Sequence, residues 1–285
     1  MPKLLCGVAL TVGAWATAAN AAPAPVRAPA DVIRPESIEL ASHAATYTMV
    51  LVRAQQQDGV RGASGRLAYR LIDHCTGYTI ESELTAKFSF SNGSASDLRQ
   101  TFAGWESKDG RHATFRMQML ENGELTDNYS GVVDLAADGS GTARYDGAQP
   151  ASFTLPAGSM LSSWQMKALL ADAKNGSSFF LQTVMDGSFA DGPHSVSGVI
   201  APAIAERGHH VAAADNADAH DQSAARIWPI TMAYFPLNTP SETPSYEMSV
   251  DVRSNGIMTR MTQDFGSYTL GFEPQSIVEL ERDPC

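Results

Sequence analysis

The 285-residue chain is short of cysteine, of basic residues and of long apolar runs. Only Cys6, Cys75 and Cys285 occur, and no Cys/His or HExxH spacing of a zinc site accompanies them. Lys and Arg number 20 against 31 Asp and Glu, with no basic cluster and with scattered aromatics. That balance argues against a nucleic-acid partner and against charge-driven binding to anionic lipid head groups, though it leaves an uncharged acyl chain open. No segment beyond the leader approaches the roughly 18 to 20 apolar residues a membrane span needs, so no transmembrane span is expected. Hydrolase signatures are missing as well: "GASG" at 62–65 is not GxSxG, and no paired carboxylates stand out. The chain is read as non-enzymatic, with no cofactor.

What is present begins with a leader. "MPKLLCGVALTVGAWATAANA" joins Lys3, an apolar stretch and the small-x-small site Ala19-Asn20-Ala21, the pattern of a signal peptide over residues 1–21 cleaved near Ala21. The leader implies an exported protein, and loss of Lys3 with it moves the formal charge from -11 to -12. Cys6 leaves with the leader. An even pair, Cys75 and Cys285, then remains in an oxidising compartment and is read as a disulfide. On the chain-entropy model a loop of roughly 210 residues is worth about 5 kcal/mol at most. The rival reading of "YRLIDHCTGYTIESEL" (69–84) is a thiol with His74 as its base; neighbours on a strand point to opposite faces, which counts against it.

Residues 22–40 open with an Ala- and Pro-rich stretch that cannot bury enough surface to fold by itself. From about 41 to 285 period-two alternation dominates, as in "YTIESELTAKFSF" (78–90), where Tyr78, Ile80, Ser82, Leu84, Ala86, Phe88 and Phe90 share one side. Asx-Gly pairs occur ten times and mark tight hairpins. The expected fold is mainly β, a single large antiparallel domain. One segment departs from the pattern: 162–174 is expected to be an α-helix, with Ser162 or Ser163 as N-cap, Asn175-Gly176 as its stop, and Trp164, Ala168, Leu169 and Asp172 along one side.

The stretch 201–225, rich in Ala, Asp and His, is read as a loop whose His209, His210 and His220 are weak candidate ligands for zinc or copper. "DGSGT" (138–142) resembles a phosphate cradle, but the pattern after it is that of a hairpin rather than a helix, and it is read as a turn. The apolar strand residues are mostly core, although a curved sheet with one helix against it can also enclose a cavity.

Taken in order, "VRGASGRLAYRLIDHCTGYTIES", "GWESKDG", "LPAGSM", "VMDGS", "IWPITMAYFP", "YEMS" and the terminal "DPC" resemble the EipB family of cell-envelope integrity proteins, periplasmic proteins of alphaproteobacteria. The resemblance covers about Ser42 to Cys285. It implies an open, spiral-like or half-barrel β structure of about 14 strands with one helix, loosely similar to the LolA and LolB lipoprotein carriers. It also implies a disulfide at the positions of Cys75 and Cys285, no established catalytic residues, and a tetratricopeptide-repeat envelope protein as functional partner. Binding of a polypeptide or hydrophobic envelope component on the curved sheet is the first expectation; a lipid or lipoprotein carrier is the alternative, and an envelope hydrolase comes third. Leu161-Ser162 and Gln165 stand where family members commonly carry Phe-Pro and then His, and 201–225 is longer than usual for the family.

Overall fold

The computed structural model describes residues 32–55, 59–187, 190, 192–206, 226–238, 241–283 and 285. The leader through residue 31, and the candidate ligands His209, His210 and His220, lie outside the described residues. Chain order runs from a 3-10 turn (Pro35–Ser37) through β1 (His43–Ala54), β2 (Val60–Asp73), β3 (Gly77–Phe90), β4 (Ala95–Ser107), β5 (His112–Glu121), β6 (Glu124–Leu135), β7 (Gly141–Gly147) and β8 (Ala151–Leu155). It continues with β9 (Ser159–Leu161), α1 (Ser162–Asn175), β10 (Phe179–Met185), β11 (His194–Ile200), β12 (Ile204–Ala205), β13 (Arg226–Pro236), β14 (Tyr246–Arg253), β15 (Met258–Asp264) and β16 (Tyr268–Glu279).

These strands make one nearly closed, barrel-like sheet of 16 strands, two of them (β9 and β12) only three and two residues long, against the about 14 that the family resemblance implies. Apart from β12, which pairs at one side of β13, neighbours in space are neighbours in sequence: the order runs from β8 back to β1, crosses to β16, and returns to β9. The turns explain this. Nine of the ten Asx-Gly glycines sit at positive φ; Gly176 ends α1, the other eight lie in connections between strands, and Gly147 alone lies within a strand.

Two joins complete the ring. β1 and β16 pair antiparallel from His43↔Glu279 to Ala54↔Tyr268. β8 and β9 do not pair; residues 156–158 connect them, with the Gly158 N–H donating to the Asp138 carbonyl at 2.7 Å. β9 instead runs parallel to β10, so β9, α1 and β10 form a crossover that lays the helix on the inner face of the sheet.

The helix is placed as the sequence indicates and ends at Gly176, but its burial is different. Ser163, Gln165, Lys167, Leu169, Leu170, Ala171 and Ala173 are all buried, so no single side faces the core. Enclosure on several sides, rather than amphipathic packing on a flat sheet, is the cause. The N-cap expectation also needs correcting: Leu161 is the N-cap and makes no side-chain cap, and the capping group comes from another strand.

Two apolar clusters fill the interior. The larger gathers Tyr47, Met49, Tyr78, Leu169, Leu170 and Ile230 with the inner faces of β1–β3, β10, β11 and β13–β16. A smaller one gathers Phe115, Tyr145, Leu155, Leu161 and Met185, and Phe102 packs against both.

Candidate functional site

The triplet Asp73-His74-Cys75 grips the end of the chain residue by residue. Cys75 is bonded to Cys285, with their Cα atoms 5.5 Å apart. His74 Nδ1 meets Asp283 Oδ2 at 2.6 Å, and its Nε2 lies 2.9 Å from Thr79 Oγ1. Asp73, only 1% exposed, receives Arg282 at 2.8 Å on one oxygen and the Lys108 ammonium on the other. A buried carboxylate needs such partners, since desolvation otherwise forbids the charge. The sulfur is therefore occupied by a bond and His74 by a carboxylate, so the triplet acts as a clamp.

Inside the barrel, between α1 and the inner faces of β1–β4 and β13–β15, lies a cavity of ≈ 210 Å³. Its wall is mainly apolar, with Met166, Met232, Met248 and Met258 among the lining residues. His43, 2% exposed, borders it; its Nδ1 lies 2.8 Å from the Ala41 carbonyl, while Nε2 has no partner among the described residues. Burial pushes the His43 imidazole below its ordinary range, so the ring is neutral, donates from Nδ1 and keeps a lone pair on Nε2. Ligand cavities usually measure about 300 to 1,000 Å³. This one is smaller because the helix occupies the space.

Glu106, at the end of β4, closes the helix start. Its buried carboxylate accepts from the Ser162 hydroxyl and, at 2.8 Å, from the Ser163 N–H, doing from 57 positions away what an N-cap side chain does locally. Burial raises its pKa, while the Ser162 and Ser163 hydrogen bonds and the helix N-terminus favour the ionised form. "GWESKDG" contains Glu106, but nothing local in it signals a cap.

The third feature is an edge. β9 covers β10 only at Thr183, Val184 and Met185. The Ile200 N–H donates to the Ser178 carbonyl, which fixes the alternation: even-numbered residues of β10 bond to β11, and the peptide groups of Phe179 and Leu181 point the other way. No strand pairs with 179–182 on that side among the described residues. Phe179 and Leu181 are 62% and 67% exposed, and Val199, opposite Phe179, is 54% exposed. The result is an apolar outer patch beside unpaired main chain, in a segment (Phe-Phe-Leu-Gln) without charge or proline.

Among the described residues no cluster of three or more His, Cys, Asp or Glu is arranged to hold a metal ion, and no helix is long and apolar enough to cross a membrane.

Comparison with known proteins adds a family. A family model described as EipB-like matches residues 35–280. The cell envelope integrity protein EipB of Brucella abortus (strain 2308) is 25% identical over 264 residues, covering 91% of this chain and 88% of that protein. A crystal structure of a β-barrel-like protein from Brucella abortus, from a domain-of-unknown-function family, superposes with a TM-score of 0.76 at 23% identity. It covers 86% of this chain and 100% of that one.

Proposed function

Because the chain belongs to the EipB-like family, we propose that it is a non-enzymatic periplasmic protein that supports envelope integrity by holding an extended polypeptide segment along the unpaired half of β10. The free edge at 179–182 carries this reading. A strand added there would complete the hydrogen bonds of Phe179 and Leu181 and cover the apolar patch that these residues form with Val199. Natural sheets blunt exposed edges with charge, proline or a covering element, and this segment has neither charge nor proline. A tetratricopeptide-repeat envelope protein, or the polypeptide part of a lipoprotein, is a candidate source of the segment. The carrier alternative draws less support, since α1 leaves only ≈ 210 Å³ for an enclosed acyl chain.

The test is Leu181→Pro in the full chain. It deletes an N–H that faces away from β11 and leaves the β10–β11 ladder in place. In a strain lacking the protein, the parent should restore tolerance to detergent and Leu181→Pro should not, although the purified variant melts cooperatively and its cellular level matches the parent. Phe179→Ser/Leu181→Ser, which keeps the main chain, should lose most of the same tolerance. Full complementation by a folded Leu181→Pro would overturn the reading.

A further inference from the structure

Next to the unpaired β8–β9 join, an open cleft of ≈ 710 Å³ is lined by the turn after β4, the turn after β6, β9 and the first turns of α1. That volume falls in the range of ordinary small-molecule sites. Lys167 projects from α1 into it and is only 6% exposed. Its ammonium lies 5.4 Å from the centroid of the Tyr78 ring and 5.6 Å from that of Trp164. Among the described residues it makes no ion pair and no hydrogen bond, so its three N–H donors reach no protein acceptor. The aromatic faces offer it a weak electrostatic attraction and nothing directional.

Most of the charges around it are already committed. Lys108 sits 3.8 Å over the same Tyr78 ring and takes one oxygen of Asp73, while Arg282 takes the other at 2.8 Å. Two of the three carboxylates that line the cleft, Asp109 and Asp138, are held in their own turns. Asp109 accepts from Ser107 Oγ at 2.6 Å and from the Arg111 N–H at 3.1 Å; Asp138 accepts from the Ser140 N–H at 2.9 Å and from Ser140 Oγ at 2.7 Å. Glu36 stands exposed in the lining with no ion pair to Lys167. Lys167 is thus a nearly buried cation, beside a second cation, without a counter-charge in contact. Burial first, and Lys108 next, press its pKa down, the expected sign for an uncompensated ammonium.

The neighbouring wall is flat and fixed. The Trp164 Nε1–H donates to the Lys108 carbonyl at 3.2 Å, and Gly110, at φ +69°, lets the indole approach so closely that a Cβ there would stand 2.2 Å from it. A rigid aromatic face beside an unpaired ammonium is a two-part recognition element. We propose that this cleft binds a small molecule bearing a carboxylate or phosphate, whose anionic group pairs with Lys167 and whose remaining body lies against Trp164. The bound anion supplies the counter-charge that the protein withholds.

Calorimetric titration of the full chain with inorganic phosphate and, separately, with acetate tests this and tells the two anions apart, with sodium chloride at matched ionic strength as the reference. At least one anion should bind saturably beyond the chloride reference, with affinity reduced tenfold or more in Lys167→Met and kept within about threefold in Lys167→Arg. In the parent, the Trp164 indole N–H resonance should move along the same titration, a readout that does not depend on how well the variants fold. A Trp164 resonance unmoved by both anions, or a folded Lys167→Met that binds as the parent does, would refute the site. None of these residues belongs to the β10 edge, so the two proposals stand or fall separately.

Discussion

The ring of strands is joined at two places by opposite means. Where β1 meets β16, an antiparallel ladder runs from His43 to Ala54, and beyond it Cys285, Asp283 and Arg282 are held by three consecutive residues. Where β8 meets β9 no ladder crosses, and closure rests on residues 156–158, on a three-residue parallel strand and on a helix start capped by Glu106. The first join is redundant; the second is minimal. Both candidate binding features, the open half of β10 and the cleft at Lys167, lie beside the minimal one. Unpaired main chain and an uncompensated cation persist where the sheet stops satisfying itself, and such groups are what a ligand can use.

The largest effect should come from breaking the redundant join. Cys75→Ser removes the covalent tie and with it up to about 5 kcal/mol, which for a domain of this size lowers the melting temperature by roughly 10 to 20 °C in calorimetry. A drop under a few degrees would mean that the ladder and ion pairs carry that join alone. At the minimal join, Glu106→Ala leaves the Ser163 N–H without its acceptor and should cost about 1 to 3 kcal/mol in urea unfolding. Because the folded-state pKa of Glu106 is raised, its contribution is present at low pH and is lost as pH rises through that value; Glu106→Gln should cost less and flatten that slope.

The smallest effect sharpens the contrast by sign. His43 belongs to the redundant join, and its folded-state pKa is lowered from 6.5, so the unfolded chain takes up a proton more readily. Stability should fall as pH drops below about 6.5, and His43→Phe should remove that part of the acid limb, read as melting temperature against pH. Acid thus weakens one join while rising pH weakens the other. If both variants flattened the same limb, the two joins would not be electrostatically distinct.

Much of the fold was legible because its signals are local. The alternation of 78–90, the Asx-Gly reversals and the stop at Gly176 each depend on a few adjacent residues, and all three hold in the structure. The pairing of Cys75 with Cys285 was legible for a different reason, since only one partner remained. What stayed hidden is non-local. Glu106 reads as an ordinary strand residue until Ser163 arrives from 57 positions away. Lys167 reads as the solvated face of a helix, because burial on several sides follows from the curvature of the sheet and leaves no periodic trace. His74 reads as a base beside a thiol, whereas it and Asp73 pair with Asp283 and Arg282 at the other end of the chain.

That the first long strand pairs with the last has a consequence for how the molecule comes into being. β1 is complete early in synthesis, but one of its edges has no partner until β16 emerges, and the clamp at 73–75 waits longer still, for Cys285. A product that stops before β16 cannot close the ring. That edge stays open until β16 is made, and losing Arg282, Asp283 and Cys285 alone would remove the clamp while leaving the β1–β16 ladder.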